Sequence, residues 1–205
     1  MAATYVTGLL LGLALIIPIG AQNVFVLSQG LTMGMPRALW AVVAAGICDT
    51  LLIVLGAAGA GVLIGNVPGL REILLAGGAA FLVYLAVDSL RAKVTDDGMT
   101  TTAVTSPRGV IAKTASVSLL NPHAILDTVV VIGAAIAAQQ VAGRTAFAAG
   151  ALTASWIWFL LLAGAAAAFR RFLTPQRRVW FDRVSGMVML FFAGMLVVEL
   201  VQTLR

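Results

Sequence analysis

The sequence predicts an all-α integral membrane protein with six transmembrane helices arranged as a 3+3 inverted repeat. Of its 205 residues, 61% are apolar and 10% are charged, whereas a soluble domain carries about 25% charged residues. Six apolar stretches are close to the roughly 20 residues that cross a bilayer, and a polar segment separates them three and three. An odd number of spans in each half inverts the second half relative to the first.

The six predicted spans cover about 5–27, 38–64, 70–90, 114–138, 145–169 and 184–204. They nearly exhaust the chain, so we expect one membrane domain over 1–205, with a first repeat at 1–91 and a second at 114–205. The segment between them, 92–113, has five threonines, Asp96-Asp97-Gly98 and Pro107, which predict a mobile cytoplasmic linker. The first stretch lacks a basic n-region and a clear cleavage site, so we interpret it as a retained helix.

The first and fourth spans are each predicted to be broken by a proline. The breaks are Pro18-Ile19-Gly20 and Asn121-Pro122. Interrupted helices are tolerated at membrane depth mainly where they line a protein-walled or water-filled cavity, and paired breaks in two halves mark transporter binding sites. Each half-helix that follows a proline would point its positive dipole end at the midplane, where it attracts a carboxylate. The sequence therefore predicts a transporter.

Basic residues predict the orientation of these spans. Ten of the thirteen Lys and Arg lie near 28–37, 91–113 and 170–183, while the opposite side has only Arg71, Arg144 and Arg205. The positive-inside rule then places both termini outside the cytoplasm. The net charge of +5 follows from the basic residues of the loops on the cytoplasmic side. We therefore expect the lipid bilayer as a partner, and no nucleic acid.

Asp49 and Asp127 are predicted to lie near the membrane midplane, with no Lys or Arg at matching depth. An Asp at the centre of a membrane helix costs about 2.5–3.5 kcal/mol on insertion scales, so each needs a reason to be there. The functional interpretation is a site for a cation or a proton. The structural alternative is a carboxyl that is protonated, or hydrogen-bonded to helix backbone, and only holds helices together.

Other polar side chains lie beside the two breaks. His123 precedes Asp127 by four residues, so the two share a face of a continuous helix, although His123 could also be a cap or an interhelical donor. Three amides could bind substrate or cap freed backbone groups: Gln22, Asn23 and Asn121. The sequence has no His/Cys cluster and no Ser-His-acid set, so we expect neither a metal site nor a cofactor, and no enzyme.

Four segments together resemble a known family. They are Pro18-Ile-Gly-Ala-Gln-Asn-Val-Phe-Val26 with Gln29-Gly30, Asp49 in the second span, Leu120-Asn-Pro-His-Ala-Ile-Leu-Asp-Thr128, and Ala154-Ser-Trp-Ile-Trp-Phe159. Over essentially its full length the chain resembles the LysE superfamily of amino-acid exporters, closest to its LysE/ArgO branch of lysine and arginine exporters. The resemblance implies two essential aspartates, Asp49 and Asp127, with Asn23 and Asn121-Pro122 supporting the pathway.

The chain departs from the family at two points. The family commonly has Gly-Pro-Gln-Asn where this chain has Gly20-Ala-Gln-Asn23, which leaves the first break to Pro18 and Gly20. The family is also often described with five spans and a cytoplasmic N-terminus, whereas the charge distribution here predicts six spans and an external N-terminus.

The sequence thus predicts a secondary exporter of L-lysine or L-arginine in the bacterial cytoplasmic membrane, working by alternating access. Moving a monovalent cation outward against an inside-negative potential costs about 2.3 kcal/mol per 100 mV, and the return of one proton cancels that charge movement. Proton coupling is therefore expected. Export of neutral amino acids such as homoserine or threonine, transport of divalent cations, and a homodimeric assembly are left open.

Overall fold

The computed structural model describes residues 1–17, 20–59, 69–91, 93, 106–121, 125–172 and 174–204, and over these ranges the protein is helical, with turns and no strand. The first half contains α1 (Ala2–Ile16), α2 (Ala21–Met33), α3 (Leu39–Ala57) and α4 (Leu70–Leu90). The second half contains α5 (Pro107–Leu119), a π-helix (Leu126–Ile132) that continues into α6 (Gly133–Ala137), α7 (Val141–Phe169), a 3-10 turn (Arg170–Phe172) and α8 (Pro175–Thr203).

Three helices are long and apolar enough to cross a membrane: α3, α7 and the Val179–Thr203 part of α8. The α1–α2 pair is a fourth candidate, bent by 81° at the break between the two helices. Leu75–Leu90 and Thr128–Ala137 are apolar but shorter. The described residues therefore provide three candidate spans, or four with the bent pair, and the full set of six stays a prediction.

The first predicted break coincides with the junction of α1 and α2. Gly20 is the N-cap residue of α2, with extended backbone angles (φ −107°, ψ 178°). Pro18 and Ile19 lie outside the described residues, so the contribution of Pro18 stays a prediction. In the second half α5 ends at Leu119 and the π-helix begins at Leu126. Pro122 and His123, between them, also lie outside the described residues.

Two helices begin seven or more residues before the spans that the sequence predicted. α5 begins at Pro107, so residues 107–113 of the expected linker are helical. Ser106 is the N-cap residue, and its hydroxyl accepts a hydrogen bond from the Gly109 N–H at 3.1 Å. Likewise α8 begins at Pro175 after the N-cap Thr174, and not near 184. A capping hydroxyl followed by proline is a helix start signal, which the polar and Arg-rich composition of these segments obscured.

Glycines allow α1 to pack closely along α7. A Cβ added to Gly12 would lie 2.8 Å from the Ala154 Cβ, and one added to Gly150 would lie 2.7 Å from the Leu9 N. Small residues permit such close approach in membrane helices. α1 is thus held on α7 backbone to backbone, and the chain must turn after Ile16 to start α2.

α2 packs against helices from both halves of the chain. α4 packs along α8 in a core that contains Leu75, Leu82, Met189 and Leu196. α3 packs against α5, α7 and the π-helix, whereas α2 packs mainly against α7 and also meets α3, α5 and α8. α2 is therefore placed where polar side chains from both halves of the chain can meet.

The crossing of α3 with the π-helix and α6 is formed by two glycines. A Cβ on Gly56 would lie 2.8 Å from the Val129 carbonyl oxygen, and one on Gly133 would lie 2.9 Å from the Gly56 Cα. The two backbones are therefore in direct contact at this point.

Candidate functional site

Asp49 lies in the middle of α3 and is only 6% exposed. Its Oδ1 accepts a hydrogen bond from the Gln22 Nε2 of α2 at 3.0 Å, and its Oδ2 accepts one from the Ser155 Oγ of α7 at 2.9 Å. Both partners are themselves buried. No Lys or Arg in the described ranges forms an ion pair with Asp49. The centre is thus a carboxylate held between three helices by two neutral donors.

This arrangement leaves Asp49 able to bind a cation. A carboxylate has about four acceptor positions, and the two hydrogen bonds use one on each oxygen. Burial of a charge in apolar surroundings is unfavourable unless it is paired. A cationic group or a proton that reaches Asp49 would therefore be attracted strongly. Gln22 lies in the first turn of α2, so its hydrogen bond joins Asp49 to the region of the first break.

Asn23 joins the two sides of the first break. Its Nδ2 donates to the Ile16 carbonyl oxygen at 2.6 Å, and its Oδ1 accepts from the Trp158 Nε1 at 3.1 Å. Ile16 ends α1, where the last carbonyls of a helix have no intrahelical donor. Asn23 therefore caps a freed backbone group, which is one of the two roles considered for it, and substrate contact stays a prediction.

The residues predicted around the second break are only partly described. Asn121 is buried, and its carbonyl oxygen accepts from the Ile125 N–H at 3.1 Å. Asp127 lies within the π-helix, a conformation that is frequent at functional sites, but its side chain lies outside what the structure describes, as do Pro122 and His123. A direct relationship between Asp49 and Asp127 or His123 therefore stays a prediction.

Sequence reasoning missed the contribution of α7. Ser155 completes the Asp49 centre, and the adjacent Trp156 lies with its ring against Gly46 of α3. The Trp156 Nε1 donates to the Thr50 Oγ1 at 3.3 Å, and the Thr50 hydroxyl donates to the Gly46 carbonyl oxygen at 2.6 Å. The one available signal was the clustering of two indole side chains, Trp156 and Trp158, beside Ser155 in a mostly apolar helix.

A second polar cluster, also missed, lies where α2 meets α4, α5 and α8. Asp182 of α8 is 6% exposed, and its Oδ1 accepts from the Ser28 Oγ of α2 at 3.4 Å. Lys113 of α5 pairs with Asp88 of α4 at 2.8 Å. Asp182 was overlooked because α8 was expected to begin two residues after it.

A cavity and a cysteine thiol are two further features of the described residues that bear on ligand binding. A cavity of about 380 Å³ is lined by Met33, Arg37, Trp40, Pro107 and Val110. No group of three or more His, Cys, Asp or Glu side chains within the described ranges is placed to hold a metal ion. Cys48, next to Asp49 in the chain, is a buried free thiol.

Comparison with known proteins identifies the family. YisU of Bacillus subtilis (strain 168), which carries the provisional name of an amino-acid transporter, is 39% identical over 191 residues, covering 91% of this chain and 86% of YisU. The arginine exporter protein ArgO of Enterobacter sp. (strain 638) is 35% identical over 206 residues, covering 97% and 95% of the two chains. ArgO of Escherichia coli (strain K12) is 34% identical over 200 residues, covering 94% and 92%.

No solved structure matches the chain at a significant level. The family model described as LysE type translocator matches residues 13–200, which is most of the chain. The protein therefore belongs to the LysE family of translocators, as the resemblance in its sequence indicated.

Proposed function

We propose that the protein exports basic L-amino acids, arginine or lysine, across the bacterial cytoplasmic membrane. The observation that carries the proposal is the Asp49 centre. It is a buried carboxylate in the middle of an apolar helix, held only by neutral donors from Gln22 and Ser155 among the described residues. A guanidinium or ammonium group would supply the missing positive charge. Two of the relatives described above are named arginine exporters.

The start of α2 offers a partner for the other end of the substrate. The first N–H groups of a helix lack intrahelical acceptors and carry the positive end of its dipole. Gln22, which contacts Asp49, is in that first turn. An arginine or lysine molecule would place its side-chain cation at Asp49 and its α-carboxylate at the N-terminus of α2. Asn23 and Asn121 would support this pathway beside the two breaks.

Export requires a second process that returns charge. We assign proton coupling to Asp127, with His123 as its neighbour one helical turn away in sequence. The π-helix that contains Asp127 packs against α3, which contains Asp49, and this contact would allow protonation of one carboxylate to influence the other. One proton moving inward for each cationic substrate moving outward makes the exchange electroneutral.

The packing supports an inverted repeat with alternating access. If α1, α2, α3 and α4 correspond to α5, the π-helix with α6, α7 and α8, then most of the observed helix contacts have a partner. The exception within the described ranges is the contact of α2 with α8, which no comparable contact of α4 with the π-helix or α6 matches. The contact of α1 with α7 corresponds to that of α5 with α3, and the contact of α2 with α7 corresponds to that of the π-helix and α6 with α3. The contacts of α3 with α7 and of α4 with α8 each join two equivalent helices, so each is its own counterpart. We propose that one repeat moves against the other, with both termini outside the cytoplasm.

Uptake into inside-out vesicles tests the proposal. Labelled L-arginine and L-lysine are supplied outside the vesicles with and without an imposed proton gradient, and wild type is compared with Asp49→Asn, Asp127→Asn and a matched control. The control is Glu72→Gln, which makes the same kind of change in the first turn of α4. We expect gradient-dependent uptake in wild type and the control, and its loss in both aspartate variants at equal protein levels.

Two outcomes would contradict parts of this proposal. Uptake of homoserine or threonine in place of the basic amino acids would make Asp49 a proton site and the protein a neutral amino-acid exporter. Uptake of arginine that is unaffected by Asp49→Asn would remove Asp49 from the mechanism. Sealed, energised vesicles that move none of these amino acids would overturn amino-acid export altogether.

A further inference from the structure

The cavity of about 380 Å³ lies where three helices begin or end. α2 ends at Met33, α3 begins at Leu39 and α5 begins at Pro107. α3 has 19 residues, which gives a length of about 28 Å at 1.5 Å per residue and matches the roughly 30 Å hydrocarbon core of a bilayer. We therefore expect the start of α3, and the cavity beside it, at the level of the lipid headgroups.

The lining of this cavity combines one cation with apolar surface. Arg37 is exposed, and within the described ranges no carboxylate forms an ion pair with its guanidinium. The other lining residues are Met33, Trp40, Pro107 and Val110. Tryptophan is typical of the membrane–water interface, where its ring contacts both lipid tails and headgroups. A single cation beside an apolar wall fits an amphiphile that carries a negative charge.

Two further features make the surroundings of the cavity positive. The first turn of α5, which contains Pro107 and Val110, has the positive end of a helix dipole, where phosphate groups bind readily. A second guanidinium lies beside the lining, because the Arg170 Nη1 donates to the Met33 carbonyl oxygen at 3.1 Å. The electrostatics of the cavity therefore favour an anion and disfavour a cationic amino acid.

An exposed apolar face of α3 continues from the cavity. Its members are between 39% and 57% exposed: Trp40, Val43, Ile47, Leu51 and Val54. Their spacing of three or four residues places them on one side of the helix. The face is about 21 Å long, which exceeds the roughly 15 Å of hydrocarbon in one leaflet. Trp40 belongs to both the cavity and the face, so the two form one continuous surface.

We propose that the cavity binds the headgroup of one anionic phospholipid, with its phosphate at Arg37 and an acyl chain along the exposed face of α3. The Trp40 indole packs against the lipid between these two parts. The basic residues predict this side of the protein to be cytoplasmic, where the leaflet is rich in anionic lipid. α3 and α5 belong to different halves of the chain, so a lipid bound at their shared cavity links the two halves.

Thermal unfolding of the purified, full-length protein in detergent tests for this lipid. A ligand that binds only the folded state raises the unfolding midpoint. Phosphatidylglycerol, phosphatidylethanolamine and inorganic phosphate are added separately at equal concentration. We expect phosphatidylglycerol to raise the midpoint by about 2–4 °C. Phosphatidylethanolamine should raise it less, because its ammonium group offsets the phosphate charge, and inorganic phosphate should raise it less because it leaves the apolar wall uncovered.

Variants of exposed arginines locate the site. Arg37→Gln should remove the difference between the two lipids, and Arg37→Lys, which keeps the charge, should retain part of it. The matched control Arg183→Gln removes the same charge from an exposed position in α8 and should keep the full difference. Native mass spectrometry of the same samples should show one retained phosphatidylglycerol on wild type and on the control, and its loss from Arg37→Gln.

Three outcomes would overturn the proposal. Equal shifts from the two lipids would show a general effect of lipid on the solubilised protein. A shift from inorganic phosphate as large as that from phosphatidylglycerol would assign the cavity to a free anion. A full phosphatidylglycerol shift in Arg37→Gln, or an equal loss in Arg183→Gln, would place the lipid elsewhere. Failure of amino-acid export in the vesicle experiment would leave all these results unchanged, because none of them depends on transport.

Discussion

Ser155 and Asp49 are joined by a hydrogen bond of 2.9 Å that crosses from α7 to α3. Residues 106 positions apart in the chain thereby share one buried site. Because Gln22 binds the other carboxylate oxygen, the orientation of Asp49 depends on the relative placement of three helices. A shift of α2 or α7 would remove a donor from the carboxylate and change its preference for a cation or a proton.

Replacement of Ser155 tests this dependence. Ser155→Ala removes one of the two donors to a buried carboxylate, and a hydrogen bond to a charged group contributes about 1.5–3 kcal/mol. We expect the apparent affinity for arginine to change by about tenfold or more, with a pH profile that is displaced from that of wild type. Ser155→Thr keeps the hydroxyl and should restore most of both. Concentration and pH dependence of vesicle uptake measure these effects, and unchanged profiles in Ser155→Ala would contradict the positioning role.

Asn23 should contribute more to stability than its partner Trp158. Asn23→Leu leaves the Ile16 carbonyl oxygen at the first break without its 2.6 Å hydrogen bond, and an unsatisfied buried group costs about 1–3 kcal/mol. Trp158→Phe removes only the indole donor to Asn23 and leaves the bond to Ile16 intact. Thermal unfolding in detergent should give a larger loss for Asn23→Leu. A larger loss of stability in Trp158→Phe than in Asn23→Leu would mean that the hydrogen bond from Asn23 to Ile16 does not stabilise the first break.

Two glycines of α7 provide a matched pair for the α1–α7 contact. Gly150→Ala would place its Cβ 2.7 Å from the Leu9 N, a backbone atom that cannot move aside alone. Gly164→Ala has no heavy atom within 4 Å of its new Cβ and gains up to about 1 kcal/mol in helix propensity. We expect the first change to lower the unfolding midpoint by an amount equivalent to about 1–3 kcal/mol, and the second to maintain or raise it. Equal effects would show that α1 is not packed on α7 at this point.

The Asp88–Lys113 ion pair should contribute little to stability. Its side chains are 22% and 42% exposed for Lys113 and Asp88 respectively, and exposed pairs are typically worth about 0–1 kcal/mol. A double-mutant cycle with Asp88→Asn and Lys113→Met should therefore give a coupling free energy below about 1 kcal/mol, decreasing as salt is added. A larger coupling that persists in high salt would identify the pair as a buried link between α4 and α5.

The Asp49 centre was only partly predictable from the sequence. Asp49 and Gln22 stand out because a carboxylate in an apolar helix and an amide beside a helix break are unusual in a membrane. Ser155 does not stand out, because a serine in such a helix can bond to its own backbone. Only the packing of α7 on α3 reveals its partner. The second polar cluster, around Asp182, was hidden for another reason, since composition alone assigned the Arg-rich start of α8 to a loop.

The helical architecture could be read from hydropathy, because bilayer thickness and backbone hydrogen bonding favour apolar helices. The bend between α1 and α2 lies where the sequence predicted the first break, and the part of Pro18 in it stays a prediction. Helix ends were less predictable. The capping hydroxyls of Ser106 and Thr174 extend α5 and α8 into polar segments, where local hydrogen bonds outweigh hydropathy. The expected roles of Asp127 and His123 stay predictions, to be tested by the vesicle experiment.

The contact between Gly56 and Gly133 has a mechanical consequence. Helices usually pack through interdigitated side chains, so moving one helix past another requires several side chains to change rotamer together. Where two backbones meet at a pair of glycines, no side chains interdigitate at the point of contact. The helix that contains Asp49 and the segment that contains Asp127 therefore meet without interlocked side chains at this point, and we expect this contact to permit small rotations of one against the other.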